Sequence, residues 1–310
     1  MKKLSNKILL AVLIVLIGIF ALSRVFRAPS LEGNLQKSLV QVDTATVDQV
    51  KILVGDTNQI VLKREGGNWT VRSNGNQRAA DRGSINSMLG TMKELVAERM
   101  VSRKKEKWDV YQVGEQGTRV TLLSSGSEKA DVYIGKAGFN QGQRQSPYGG
   151  GGAPYTYVRL AGENDVYAVD GFLVSQFNRG YDDWRNKNFT RIRKEEVVSI
   201  RFNYPDTSFV LQKQDSVWRL DDEAIETNKV DTYLNKLQVK NLYEFADDFS
   251  PGGPSPMVVR FDGANGTVAT IQGWVENDRW VVTSNLQSNV YFDGTSTRKD
   301  LFPGRSQFVP

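Results

Sequence analysis

The chain has 310 residues, with 40 lysines and arginines against 35 aspartates and glutamates, and it contains neither cysteine nor histidine. The lack of cysteine excludes a disulfide framework, and the lack of histidine excludes Ser-His-Asp and Cys-His nucleophiles and the commonest zinc ligand. Five residues near the N-terminus account for the whole excess of positive charge: Lys2, Lys3, Lys7, Arg24 and Arg27. The rest of the chain is neutral, which argues against a nucleic-acid partner.

An apolar run from Ile8 to Leu22 follows the first lysines, and no acidic residue occurs before Glu32. A helix from Ile8 to Phe26 would be about 28 Å long, close to the roughly 30 Å thickness of a membrane's hydrocarbon core. The pattern therefore predicts a transmembrane anchor and a single-pass protein of the bacterial inner membrane, with its C-terminal body in the extracytoplasmic space. A cleaved signal peptide is the alternative, because Ala21-Leu22-Ser23 offers small residues at the cleavage positions.

Two segments of the body share the same pattern at a constant offset of about 145 residues. In each, apolar strands lead to a tryptophan, Trp69 or Trp218, and then to a helical pattern with apolar positions at i, i+3, i+4 and i+7. Equivalent positions favour core anchors for the two tryptophans. The apolar helix positions are Ile85, Met88, Leu89 and Met92 in the first segment and Val230, Tyr233, Leu234 and Leu237 in the second. Asp81 or Ser84 is the expected N-cap of the first helix, and Thr227 that of the second.

We therefore predict an α+β fold, in which an N-terminal membrane helix is followed by two tandem repeats, each a mainly antiparallel sheet with one packed helix. The predicted organisation follows in chain order: anchor or signal peptide 1–27, linker 28–45, first repeat 46–171, helix and hinge 172–190, second repeat 191–300, tail 301–310.

Three parts of the chain are candidates for partner binding: the loop of the first repeat that contains Arg144 and Tyr148, the hinge, and the tryptophans that have no equivalent in the other repeat. The alternative for Trp184 is packing within the hinge, and for Trp274 and Trp280 it is filling the second core. The predicted partner-binding residues are Arg144, Tyr148, Trp184, Arg185, Trp274 and Trp280.

Paired carboxylates are the remaining chemistry that an enzyme could use. They occur at Asp182-Asp183, Asp221-Asp222-Glu223 and Asp247-Asp248. A glycosidase needs two carboxyl groups roughly 5–10 Å apart across a cleft, but adjacent acids in polar segments are more often solvated loop residues. We expect no catalytic residue, no cofactor and no metal site.

Several short motifs resemble one known family. The segment from Trp184 to Phe189, the strand from Val197 to Ile200, Asn68-Trp69-Thr70-Val71 and Asp165-Val166-Tyr167 are similar to the bacterial family known as domain of unknown function 4340. The resemblance implies a single-span envelope protein, encoded beside the permease and auxiliary subunits of an ABC transport system similar to gliding-motility exporters. It assigns no site residues.

Three functions follow as hypotheses. The first is a non-enzymatic, membrane-anchored extracytoplasmic accessory subunit that binds an ABC permease or auxiliary subunit through the duplicated body. The second is an independent envelope protein that binds a glycan or another ligand. The third is a hydrolase that uses one of the carboxylate pairs.

Overall fold

The computed structural model describes residues 13, 16, 36–55, 58–139 and 152–309. The chain divides into two compact units, unit 1 (Met1–Arg185) and unit 2 (Asn186–Pro310). Each unit is built around its own antiparallel sheet, and each has its own apolar core.

The sheet of unit 1 has ten strands in the order β1-β6-β10-β9-β8-β7-β2-β3-β4-β5, and every neighbouring pair is antiparallel. Their bounds are β1 Lys37–Ser38, β2 Gln49–Val54, β3 Asn58–Glu65, β4 Asn68–Ser73, β5 Asn76–Ala79, β6 Val96–Ser102, β7 Thr118–Ser124, β8 Ser127–Phe139, β9 Pro154–Leu160 and β10 Val166–Asp170. Short helices in this unit are α1 Arg82–Lys93, α2 Trp108–Tyr111 and α3 Val174–Phe177.

Alternation of apolar and polar residues explains the central strands of unit 1. In β2, Val50 and Ile52 are fully buried, while Lys51 between them is not. Val50 lies opposite Leu62 of β3 and Leu122 of β7, and both leucines are also fully buried. One face of the sheet therefore forms the core, as the period of two predicts.

Helix α1 begins as the sequence predicts. Asp81 is its N-cap, and the Asp81 Oδ1 atom accepts hydrogen bonds from the backbone N–H groups of Gly83 at 2.7 Å and Ser84 at 3.2 Å. The four residues predicted to face the core are all buried: Ile85, Met88, Leu89 and Met92.

The main sheet of unit 2 has eight strands in the order β15-β14-β13-β12-β17-β18-β19-β20, and β11 and β16 form a separate antiparallel pair. Strand bounds are β11 Asn188–Arg191, β12 Val197–Asn203, β13 Ser208–Gln214, β14 Val217–Leu220, β15 Glu223–Ala224, β16 Val239–Asn241, β17 Met257–Gly263, β18 Gly266–Glu276, β19 Arg279–Ser284 and β20 Phe292–Asp293. The helices are α4 Thr227–Leu237 and α5 Arg298–Leu301.

Helix α4 also buries the four residues predicted from its periodicity: Val230, Tyr233, Leu234 and Leu237. Its predicted N-cap is wrong, because Thr227 is already the first helical residue and Glu226 occupies the cap without a side-chain hydrogen bond. The helix is held by its apolar face rather than by a cap.

The predicted fold class is wrong. Antiparallel strands dominate both units, and large sheets of ten and eight strands form the two bodies rather than helix-packed repeats. Among the described residues, α1 and α4 are the only helices longer than one or two turns. Local periodicity revealed these two helices clearly, but it gave no measure of how many strands would join one sheet.

The predicted location is also contradicted. No helix within the described part of the chain is both long and apolar enough to cross a membrane, against the expected single-pass inner-membrane protein with a membrane helix. The apolar run from Ile8 to Leu22 itself lies outside the described residues, apart from Leu13 and Leu16.

Candidate functional site

Two tyrosines of β9 lie on the face of the unit 1 sheet that is turned away from its core. Side chains alternate along a strand, and Thr156 and Val158 of β9 are fully buried. Tyr155 and Tyr157 therefore point to the opposite face, where both are partly exposed.

These tyrosines belong to a compact group that we call the tyrosine–arginine surface, made of Arg99, Tyr111, Tyr155 and Tyr157. The rings of Tyr155 and Tyr157 meet edge to face with centroids 5.2 Å apart, and the Tyr111 ring is 4.6 Å from that of Tyr157. The Cζ atom of Arg99 lies 4.6 Å from the Tyr155 centroid, within the range of a cation–π interaction. The surface thus joins side chains of β6, α2 and β9.

Two glycines of β8 make room for this arrangement. A Cβ atom at Gly138 would lie 2.5 Å from the Tyr155 Cζ atom, so the Tyr155 ring rests directly on the glycine backbone. A Cβ atom at Gly135 would lie 2.3 Å from the carbonyl oxygen of Tyr111. Any larger residue at either position must displace a member of the surface.

Arg159, which is only 3% exposed, fixes α2 against the sheet. Its Nε atom donates to the carbonyl oxygen of Val113 at 2.9 Å, and its Nη1 atom donates to three further backbone carbonyls. The guanidinium also lies between two rings, with its Cζ atom 3.7 Å from the Trp108 centroid and 4.2 Å from the Tyr133 centroid. Tyr111 follows Trp108 in α2, so this buried arginine also positions Tyr111.

The hydroxyl group of Tyr157 is neutral at physiological pH. Burial, followed by the hydrogen bond between the Tyr155 and Tyr157 hydroxyls at 3.0 Å, raises the pKa of Tyr157 to about 12. Tyr157 therefore stays protonated, and its hydroxyl group can donate and accept hydrogen bonds. Arg99 adds a positive charge beside the Tyr155 ring.

The structure describes four of the six predicted partner-binding residues, and each of the four is buried or half-buried. Trp184 is fully buried in the core of unit 1 and Arg185 is only 1% exposed, so neither side chain is placed to touch a partner. Trp274 is half-buried and packs against Phe249 and Tyr291.

Of the other three, only Trp280 lies within the described residues. Trp280 packs against Phe302 beside the main core of unit 2. Arg144 and Tyr148 lie outside the described residues.

All four members of the tyrosine–arginine surface were missed by the sequence reasoning. The alternation Tyr155-Thr156-Tyr157 was the one local signal, because it places two aromatic rings on the same face of a strand. Arg99 and Tyr111 carry no such signal, because the chain order does not show that only β10 lies between β6 and β9, or that α2 packs against this sheet.

One acid in each of the three carboxylate groups forms an ion pair with an arginine. Asp182 meets Arg185 at 2.9 Å and Asp221 meets Arg305 at 2.5 Å. Arg279 holds the Asp248 carboxylate through two contacts of 3.0 and 3.1 Å and lowers the pKa of Asp248. A general acid needs a raised pKa instead. Within the described ranges, no group of three or more acidic residues is arranged to hold a metal ion.

The fold and this surface define a class: a mainly antiparallel β protein of two units that presents tyrosines and an arginine on the open face of one sheet. A family model described as a domain of unknown function, DUF4340, matches residues 69–256, and the chain belongs to that family. The resemblance drawn from the Trp184–Phe189 segment is thereby confirmed. The match runs from β4 of unit 1 to just before β17 of unit 2. No curated protein and no solved structure matches the chain.

Proposed function

We propose that the protein is a non-enzymatic binding subunit that contacts a partner protein through the tyrosine–arginine surface of unit 1. The partner we propose is the permease or an auxiliary subunit of an ABC transport system. This choice of partner is supported by the setting that the family resemblance implies.

The observation that carries the proposal is the composition and rigidity of the tyrosine–arginine surface. Tyrosine and arginine are among the residues that contribute most to protein–protein binding energy, because they combine a large contact area with hydrogen-bonding groups. Tyr155 and Tyr157 are held in place by the glycines beneath and by each other. A surface that is ordered before binding loses little conformational entropy when a partner docks.

The state of the acidic residues supports a role without catalysis. The carboxylates of Asp182, Asp221 and Asp248 are paired with arginines. For Asp248 the hydrogen bonds from Arg279 lower the pKa, which stabilises the ionised form and opposes proton donation to a leaving group.

Co-purification with matched variants tests the proposal. The tagged full-length protein is isolated from its native cells in mild detergent, and its companions are identified by mass spectrometry. We expect permease and ATPase subunits with the wild type, and their loss with the double substitution Tyr155→Ala and Tyr157→Ala. Tyr243→Ala is the matched control, because Tyr243 in unit 2 is 67% exposed.

Two outcomes would overturn the proposal. One is retention of the same subunits by the double variant when its thermal midpoint shows that it is folded. The other is a wild-type protein free of partners. In the latter case, retention of the pure protein on a polysaccharide column would favour the glycan-binding alternative, since tyrosine rings also stack on sugars.

A further inference from the structure

Both units carry an arginine, an aspartate and a threonine in contact on the face of the sheet away from the core. In unit 1, Arg119 forms a bidentate ion pair with Asp131, at distances of 2.5 to 3.1 Å, and Thr121 donates to the same carboxylate at 3.3 Å. Strand β7 supplies the arginine and the threonine, and β8 supplies the acid. One guanidinium therefore meets one carboxylate.

Unit 2 has the same three residue types with the acid and the hydroxyl exchanged between strands. Arg260 donates through Nε to Asp262 Oδ1 at 2.7 Å, and Thr267 donates to the same oxygen at 3.1 Å. Here β17 supplies both the arginine and the acid, while β18 supplies the threonine.

The next strand makes the two groups different. In unit 1, Leu53 of β2 lies directly opposite Arg119. In unit 2 the corresponding position of β12 is Arg201, which lies directly opposite Arg260. Like charges that face each other across two strands destabilise a sheet. The stability of the sheet therefore does not explain why unit 2 has an arginine at position 201, where unit 1 has Leu53.

One carboxylate is shared by the two guanidiniums of unit 2. The Arg201 Nε atom is 3.7 Å from Asp262 Oδ2, beyond hydrogen-bonding distance, and Arg260 uses only its Nε atom. Among the described residues, no hydrogen-bond partner faces the Nη atoms of either arginine. Their side chains are 56% and 49% exposed, so these donors are open to solvent.

The neighbouring strands supply no acidic side chain opposite Arg201 or Arg260, so the excess positive charge of the two arginines is not neutralised there. Arg201 lies opposite Val210 on its other side, and Arg260 lies opposite Thr270, so both outer neighbours are uncharged. Ile200 and Phe261 beneath them are fully buried, which keeps both arginines on the solvent side of the sheet.

We propose that Arg201 and Arg260 form a binding site for an oxyanion, the carboxylate or phosphate group of a ligand, on the outer face of unit 2. Each guanidinium offers a planar pair of N–H donors that matches two oxygens of such a group. The bound anion supplies the second negative charge that the pair of arginines lacks. The site lies in a different unit from the tyrosine–arginine surface and does not depend on it.

Nuclear magnetic resonance of the arginine side chains tests the proposal on the full-length protein. Inorganic phosphate and acetate are titrated separately at constant ionic strength, with sodium chloride as the reference. We expect saturable shifts of the Nε–Hε signals of Arg201 and Arg260, and a higher thermal midpoint in the anion that binds. Comparison of the two titrations distinguishes a phosphate site from a carboxylate site.

The substitution Arg201→Leu copies the arrangement of unit 1 and provides the second arm. This substitution should remove the saturable shift of the Arg260 signal. It should also raise the thermal midpoint in sodium chloride, because Arg260 no longer faces a second positive charge. Arg193→Leu is the control, since it removes the same charge from an exposed arginine of the same unit. An Arg201→Leu protein that responds like the wild type, or a wild type that responds to neither anion, would overturn the proposal.

Discussion

Eight strands of the unit 1 sheet follow the same order as the eight strands of the main unit 2 sheet, but the two units present different outer faces. Read from β5, the sheet of unit 1 runs β5-β4-β3-β2-β7-β8-β9-β10 and continues to β6 and β1, and that of unit 2 runs β15-β14-β13-β12-β17-β18-β19-β20. The core sides correspond closely, as the tryptophans show. Trp69 pairs with Arg64 and Trp218 with Lys213, and in each case the cation lies 4.9 to 5.9 Å from the ring centroid.

The outer faces differ in the residues that carry charge and aromatic rings. Unit 1 places tyrosines beside Arg99 and neutralises Arg119 with its own aspartate. Unit 2 places two arginines opposite each other with one aspartate between them. The comparison shows that the buried side chains of the strands determine the fold, while the exposed side chains can differ between the two units.

The largest expected effect comes from the equivalent tryptophans. Trp69→Ala and Trp218→Ala each remove a large side chain that is at least 96% buried, so each should lower the free energy of unfolding by about 3–5 kcal/mol. Urea denaturation followed by circular dichroism measures both losses. A loss below about 1 kcal/mol at one position only would show that the two tryptophans are not equivalent.

A smaller loss of stability is expected from replacing Arg159, which lies in unit 1. Arg159→Met removes the donor for the Val113 carbonyl after α2 and for three carbonyls where β9 leads into the turn before β10, at a cost of about 1–3 kcal/mol. Arg159→Lys keeps the charge but not the planar set of donors, and should recover only part of the loss. Equal stability of the methionine variant and the wild type in thermal denaturation would contradict the anchoring role of Arg159.

Tyr157→Phe should have an effect that depends on pH. At neutral pH the lost hydroxyl–hydroxyl hydrogen bond should cost about 0.5–1.5 kcal/mol. The pKa of Tyr157 is raised to about 12, whereas unfolded tyrosine titrates near ~10. The folded state therefore holds this proton more tightly, and the associated stability is complete below about pH 10 and is lost as the pH rises through 12.

The measurement is the thermal midpoint of Tyr157→Phe and wild type at increasing pH. We expect the difference between them to shrink above about pH 10. Tyr243→Phe is the control and should follow the wild type throughout. A difference that stays constant or grows would contradict the raised pKa.

The smallest effect is expected from a substitution that gives unit 1 the two facing arginines of unit 2. Leu53→Arg places a guanidinium opposite Arg119, which Asp131 already neutralises, and should destabilise the protein by about 0.2–1 kcal/mol. Leu53→Gln, a polar but uncharged replacement, separates charge repulsion from the loss of an apolar side chain. The excess loss with arginine should diminish at high salt, and a salt-independent difference would rule out repulsion.

Much of the framework was accessible from local sequence patterns. The apolar faces of α1 and α4 and the alternation in β2 follow from side-chain periodicity, which depends only on backbone geometry. The width of the sheets was not accessible, because the number of strands that join one sheet depends on pairing between distant segments. For Trp184 the sequence left both partner binding and packing open, and its burial in the core of unit 1 agrees with packing.

The sequence by itself determined which residues of α1 and α4 turn inward and membership in the family, because these depend on local order along the chain. Only the tertiary structure decided which outward residues meet. Arg201 faces Arg260, and Arg99 lies over Tyr155, because strand order and register bring together residues that are far apart in the chain. The buried apolar pattern and the turns fix that register without regard to the outward side chains, so the outer faces could not be read from the chain alone.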